Sequence, residues 1–226
     1  MTPHMRRLIT VIIAVLGFGL QGCFDIIEQI TVHDDGSGSF QLVLNLSRSK
    51  VKINSLMKMK TVNGHPVPSK EELKADATEF ENKLSAVPGL SAIKTTIDFN
   101  NFIGTLNFNF SNVDKLNTAL RKIGEQAKDQ KQGFSEAYRY DANNRTFSRI
   151  NRFSFAEGYR KMSVADREIF ASATYTNIFR FDSDIQSVNN PVSKIAANKK
   201  AVMTKASALD IIKGKKTIDN QINLFK

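Results

Sequence analysis

The sequence predicts an α+β fold: a mainly antiparallel sheet built from hairpins, with helices packed on one face. Three observations predict it. Apolar and polar residues alternate at period two in stretches joined by short polar turns. Between those stretches, apolar residues recur at helical spacing behind capping residues. Each alternating stretch has a single apolar face, and such a face needs a layer to cover it.

The first hairpin joins Phe24–Val32 to Phe40–Leu46. Phe24, Ile26, Ile30 and Val32 share one face, broken by Glu28. Phe40, Leu42, Leu44 and Leu46 repeat the pattern across His33-Asp34-Asp35-Gly36-Ser37-Gly38-Ser39. Asp-Gly between alternating runs is a turn signal. A calcium loop would need acids at alternate positions and a closing Glu, and these are missing. Ser47 is placed to cap a helix running to about Lys60, with Ile53, Leu56 and Met57 among its inward residues. Val62 to Pro68 reads as a loop. Ser69-Lys70-Glu71-Glu72 has the form of a capping box. The helix it opens carries Leu73, Ala77, Phe80 and Leu84 on one stripe and stops at Pro88-Gly89.

A second hairpin sets Ile93, Thr95, Ile97 and Phe99 against Phe102, Leu106, Phe108 and Phe110, with Asn100-Asn101 as the turn. Ser111 and Asn112 precede a helix with Val113, Leu116, Leu120 and Ile123 inward and a polar tail at 128–132. A third hairpin joins Phe134–Tyr140 to Thr146–Phe153 across Asp141 to Asn144. Its Tyr138, Arg139, Tyr140, Arg145, Arg149 and Arg152 read as cross-strand pairs on an outer face; stacking on bases or sugars is the other reading. Ser154 to Glu157 forms another capping box before a helix that continues or restarts at Ser163 and reaches Phe170. Thr174–Phe181 is a strand with Tyr175, Phe179 and Phe181 aligned. Asp182-Ser183-Asp184 is a strand-end turn rather than a metal pair, since two acids without further ligands do not make a site. A turn at Asn189 to Pro191, a strand at Lys199–Thr204, a helix at Ser207–Lys213 stopped by Gly214, and a strand at Thr217–Phe225 complete the chain.

Ahead of all this stands Leu8–Cys23. Arg6 and Arg7 precede 13 residues, Leu8 to Leu20, without a charge. That is short of the roughly 20 residues that span a bilayer. A basic start, a brief apolar core and a small residue before the cut describe a secretory signal peptide. Its exit, Leu20-Gln21-Gly22-Cys23, resembles the lipobox of bacterial lipoproteins. The resemblance implies that the Cys23 thiol takes a diacylglyceryl group, that residues 1–22 are cleaved away, and that the new N-terminus is acylated. Gln21 departs from the small residue usual at its place. Phe24 follows the cysteine in place of the Asp that favours inner-membrane retention, so the periplasmic side of the outer membrane is expected.

Composition narrows the rest. The chain has 32 basic and 22 acidic residues, a net charge of +10, and losing the leader removes only Arg6 and Arg7 from the basic side. Residues 23–226 suit one α+β envelope domain. Cys23 is the sole cysteine, so neither a disulfide framework nor a thiolate metal site is expected. His33 and His65 have no ligand-like neighbours, and HExxH, GxSxG and phosphate-cradling glycine loops are absent. No cofactor, no metal and no catalytic residue is predicted, and nucleic acid is not an expected partner.

The opening, Cys23 with Phe24-Asp25-Ile26-Ile27-Glu28 and then Asp34-Asp35-Gly36-Ser37-Gly38-Ser39-Phe40, resembles that of envelope lipoproteins of Bacteroidota. The late segment Tyr175–Phe181, Asn189, a short strand and Gly214-Lys215-Lys216 is similar in layout to the close of the mycobacterial LppM-type lipoprotein domain, although this chain lacks the Trp of that family's closing strand. The resemblance implies an α+β envelope domain with kinship to lipid-binding folds, and carries over no catalytic residue. The expected function is a non-enzymatic, membrane-tethered module binding an anionic lipid, glycolipid or envelope protein. The alternatives are a structural or assembly partner of an envelope complex and a hydrolase of envelope polymers.

Overall fold

The computed structural model describes residues 24–62, 65–125, 136–151, 156–164, 167 and 169–225. The leader, Cys23, the polar tail at 128–132, Arg152 and the capping serine Ser154 lie outside the described residues.

The chain runs through β1 (Asp25–Val32), β2 (Gly38–Asn45), a 3₁₀ turn at Ser47–Ser49, α1 (Lys50–Leu56), β3 (Thr61–Val62), β4 (His65–Pro66), α2 (Lys70–Ser85), β5 (Leu90–Asp98), β6 (Ile103–Phe110) and α3 (Val113–Glu125). It continues with β7 (Tyr138–Asp141), β8 (Thr146–Arg149), α4 (Ala156–Lys161), a 3₁₀ turn at Ile169–Ala171, β9 (Thr174–Phe181), β10 (Ile185–Val188), β11 (Ser193–Ile195), β12 (Ala201–Ser207), α5 (Ala208–Ile212) and β13 (Asn220–Leu224). The α+β fold with a large, mostly antiparallel sheet is as the sequence predicts. Seven strands form that sheet in the order β11-β12-β9-β1-β2-β6-β5. Four more form a smaller sheet, β10-β13-β8-β7.

Local chemistry explains the hairpins. Gly36 (φ +83°) turns the first, and the Asp35 carboxylate accepts from the Ser37 amide at 2.9 Å. The second and third use one recipe, Asp-x-Asn-Asn. Asp98 accepts from the amides of Asn100 and Asn101, and Asp141 from those of Asn143 and Asn144. The residue after each motif, Phe102 or Arg145, takes a left-handed backbone at φ +55° or +52°. The capping box at α2 is complete: the Ser69 hydroxyl accepts from the Glu72 amide, and the Glu72 carboxylate accepts from the Ser69 amide.

The apolar face of the large sheet is covered by the helices and by the smaller sheet. Phe40 stacks on Phe108 at 4.8 Å, and Phe147 of the small sheet meets the edges of Phe179 and Phe181 of the large one. A second apolar cluster gathers Phe24, Ile53, Leu56, Val62, Phe102, Ala173 and Ala208. The opposite face of the large sheet is polar. Arg180 donates to Gln29, Gln29 to Gln41, and Gln41 to Asn107.

Three expectations are corrected. The helix foreseen from Ser47 to Lys60 is a 3₁₀ turn and a helix ending at Leu56, because the chain must turn back to bury Val62 in the second cluster. The loop from Val62 to Pro68 includes a two-residue ladder, Thr61↔Pro66 and Val62↔His65. The third hairpin presents Arg139 on an outer face as expected, but not Tyr138 or Arg149. Tyr138↔Arg149 is a cross-strand pair, but it points inward, since β7 and β8 belong to a sheet lying against the large one. Two features are new. β1 pairs with β9 in parallel, and short strands β10 and β11 flank the Asn189–Pro191 turn. The outer strands of the large sheet are interrupted or brief: β5 has a register shift between Ser91 and Lys94, with Ala92 at φ +50°, and β11 has three residues.

Gly38 tests the packing of β1 on β2. A Cβ there would sit 1.9 Å from the Thr31 carbonyl oxygen and 2.7 Å from the Phe110 ring. A backbone atom cannot step aside, so Gly38→Ala should destabilise by about 3 kcal/mol, the upper end of over-packing costs. Urea unfolding should show a lower midpoint at an unchanged slope.

Candidate functional site: the first residues of β1 and the charge buried behind them

Cys23 itself lies outside the described residues, but its neighbour does not. Phe24 is buried and meets Phe170 edge-on at 5.8 Å. Its carbonyl accepts from the Thr174 amide at 3.0 Å. At the next residue, both Asp25 oxygens accept from Arg48 Nη2, at 2.6 and 2.7 Å, and the Thr174 hydroxyl donates to the same carboxylate at 2.5 Å. Burial works against the Asp25 charge, but Arg48, Thr174 and the charge of Lys205 outweigh it and hold this carboxyl below its usual range. The folded body is thus fixed from its first two residues after position 23.

Three residues further along β1, Glu28 turns inward and is buried. Glu28 pairs in register with Leu42 of β2 and Asn177 of β9, so its carboxylate enters the apolar face of the large sheet. The small sheet supplies its partners. The Tyr138 hydroxyl donates to Glu28 Oε1, and Arg149 Nε lies 3.8 Å from the same oxygen. The Arg149 guanidinium also sits over the Tyr138 ring at 4.8 Å and donates to the carbonyls of Ile150 and Ala137 at 2.9 and 3.3 Å. Tyr138 is held in turn by α3. The buried Asn117 side chain donates to the Tyr138 carbonyl at 2.7 Å and accepts from the amides of Ala137 and Tyr138 at 3.0 Å.

Tyr175 and Asn177 of β9 complete the group. The Tyr175 hydroxyl lies beside Glu28 and Arg149 without the alignment of a hydrogen bond to either. The Asn177 amide is fully buried, and neither of its polar atoms has a hydrogen-bond partner among the described residues. Burial pushes both phenols up, against the pull of Arg149. Burial disfavours the Arg149 charge, and the Glu28 carboxylate beside it works the other way. Both tyrosines therefore remain protonated and Arg149 remains a cation. Such a group can orient and cross-link two sheets.

The motifs that stand apart in sequence meet at the far end of β1. His33 Nδ1 lies 3.0 Å from Asp182, and the Ser183 hydroxyl donates to Asp34 at 3.0 Å. Arg145 reaches Asp34 at 3.1 Å and donates to Ser183 at 2.7 Å. The Asp182–Asp184 segment is the strand-end turn expected. Among the described residues, no group of three His, Cys, Asp or Glu side chains is placed to hold a metal ion.

Of the residues named from sequence, Cys23 cannot be placed and the cross-strand arginines separate. Arg149 is buried with Glu28, Arg145 neutralises the distal turn, and Arg139 pairs with Glu136 at 2.9 Å. Sequence reasoning missed the Glu28–Tyr138–Arg149–Tyr175–Asn177 group. A signal for it was present, since Glu28 interrupts the apolar alternation of β1 and Asn177 interrupts the aligned aromatics of β9.

No family model matches this chain, and no curated protein matches it. Among solved structures it is similar to the NMR structure of the folded domain of LppM from Mycobacterium tuberculosis, at a TM-score of 0.44 and 12% sequence identity. The overlay covers 92% of this chain and 94% of that domain. A likeness of that degree carries no argument about kinship or activity.

The buried pair sets up a double-mutant cycle. Arg149→Met strands the Glu28 carboxylate and should cost about 3 kcal/mol or more in urea unfolding. Glu28→Gln combined with Arg149→Met should cost less than the two single losses added, because no buried charge is then left alone; additive losses would show that the two side chains do not interact. The Asp25 clamp has a pH signature. Its folded carboxyl titrates below the ordinary 3.8, so its contribution is complete above that value and is lost as pH falls through the folded value. Asp25→Asn should lower stability at neutral pH and flatten its fall on acidification below about pH 4.

Proposed function

We propose that the chain is a bacterial envelope lipoprotein, acylated at Cys23, whose α+β body serves as a non-enzymatic, membrane-tethered binding module for a lipid, glycolipid or envelope protein. The observation that carries this reading is the junction. The lipobox-like Leu20-Gln21-Gly22-Cys23 ends one residue before Phe24, which is already buried in the fold. A cysteine at that junction is where an anchor can hold a finished domain. Each buried methylene is worth about 0.8 kcal/mol, so a diacylglyceryl group plus an N-acyl chain makes the attachment effectively permanent. Among the described residues, no helix is long and apolar enough to cross a membrane.

The non-enzymatic part of the reading draws on the state of Glu28. A hydrolase of polymers would use an accessible carboxylate pair, whereas Glu28 is closed in by Tyr138 and Arg149. The net positive charge favours an anionic partner.

Mass spectrometry of the protein purified from membranes tests the anchor. The mature chain should begin at Cys23 and carry the mass of three acyl chains and a glycerol. An unacylated Cys23, or an intact stretch 1–22, would overturn the proposal.

A further inference from the structure

We infer that the outward face of α1 and the turn after it, Val51 and Met59 flanked by Lys50, Lys58 and Lys60, rests on anionic lipid headgroups beside the anchor. This deepens the tethered reading and depends on it for its geometry.

The first argument is position. β2 ends at Asn45, the register partner of Asp25, and α1 begins five residues later. Ile53 and Leu56 of α1 pack in the same cluster as Phe24. The helix therefore lies at the end of the sheet where residue 23 is attached. No spacer separates the two: Cys23 and Phe24 are neighbours, about 3.8 Å apart between α-carbons. A bilayer holding Cys23 comes within reach of the side chains on this rim.

The second argument is chemistry. Residues 47–60 contain Arg48, Lys50, Lys52, Lys58 and Lys60 and not a single acid. Arg48 is spent on Asp25, and Lys50 is near enough to Asp98 to help lower that carboxyl. With Ile53 and Leu56 turned inward, the outward side exposes Val51 at 83% and Met59 at 44%. A fully exposed valine in a stretch of lysines has no packing role in the fold. Apolar residues ringed by long cationic side chains are the composition of a surface lying at a membrane interface. Lysine ammonium groups are attracted to phosphates within a Debye length, about 8 Å at physiological ionic strength. A third exposed residue, Val164 at 67%, belongs to the segment whose Phe170 packs on Phe24.

The test uses the full-length protein, purified with its lipid and reconstituted into vesicles. Cys23 is the sole cysteine, so acylation leaves only an introduced thiol open to labelling. Val51→Cys places a fluorophore on the proposed face. Ala197→Cys places it on the exposed turn between β11 and β12, at the opposite end of the sheet. Vesicles are phosphatidylcholine alone or equal parts phosphatidylcholine and phosphatidylglycerol, doped with nitroxide lipid as quencher. In the anionic vesicles, quenching at position 51 should exceed that at 197 several-fold. Salt at 1 M, where the Debye length is about 3 Å, or the triple variant Lys50→Glu, Lys58→Glu, Lys60→Glu, should bring it down to the level at 197. Equal quenching at 51 and 197, or equal quenching at 51 with and without phosphatidylglycerol, would overturn the inference while leaving the anchor intact. Two labels per chain would instead show a free Cys23 and sink the anchor. In that case flotation of the same protein with anionic vesicles, lost in the triple variant, would still support the face, and failure to float would overturn it.

Discussion

Everything in this fold is arranged around a central strand hydrogen-bonded on both sides. β1 pairs antiparallel with β2 and parallel with β9, whose residues lie 149 positions further along the chain. The first pairing is local and needs only an Asp-Gly turn. The second joins the two halves of the chain, and parallel pairing always requires a long connection to bring the strands alongside. That connection contains most of the helices and the first two strands of the small sheet. β12 pairs with the other side of β9, and β13 pairs with β8 to complete the second layer. The fold thus carries the closure entropy of one long-range pairing.

The two layers are joined by polar chemistry as well as by their rings. Glu28 reaches from the large sheet toward Tyr138 and Arg149 of the small one, and Asn220 of β13 donates to Ser193 of β11 at 2.9 Å. Ser193 in turn shares a hydrogen bond with Thr204 of β12 at 2.7 Å. Apolar faces alone would let one sheet slide over the other. A buried carboxylate with one guanidinium within reach specifies a single register, at the expense of desolvating both ions. The Asn177 amide, which has no hydrogen-bond partner among the described residues, lies in the same seam.

Much of this was legible in the residues, and the reasons are local. Period-two alternation with Asp-x-Asn-Asn and Asp-Gly turns located the hairpins, and a serine three residues before a glutamate located α2. What remained hidden depends on contacts between distant segments. Nothing near Thr174 says that its strand lies parallel to Asp25, and nothing near Arg149 says that its charge is answered by Glu28. The inward face of the third hairpin was misread because alternation alone cannot say which side of a strand another layer will cover. The interruption of apolar patterns by Glu28 and Asn177 was the trace that those contacts left in the sequence.

The interrupted rims of the large sheet have a bearing on crowding. Proteins held at high density meet their own copies often. Flat, unpaired strand borders would then invite neighbouring molecules to zip into continuous ribbons. Here one border is kinked by a left-handed alanine and carries Lys94, and the other is three residues long. Both borders of the large sheet are thus poor templates for a straight backbone ladder between copies.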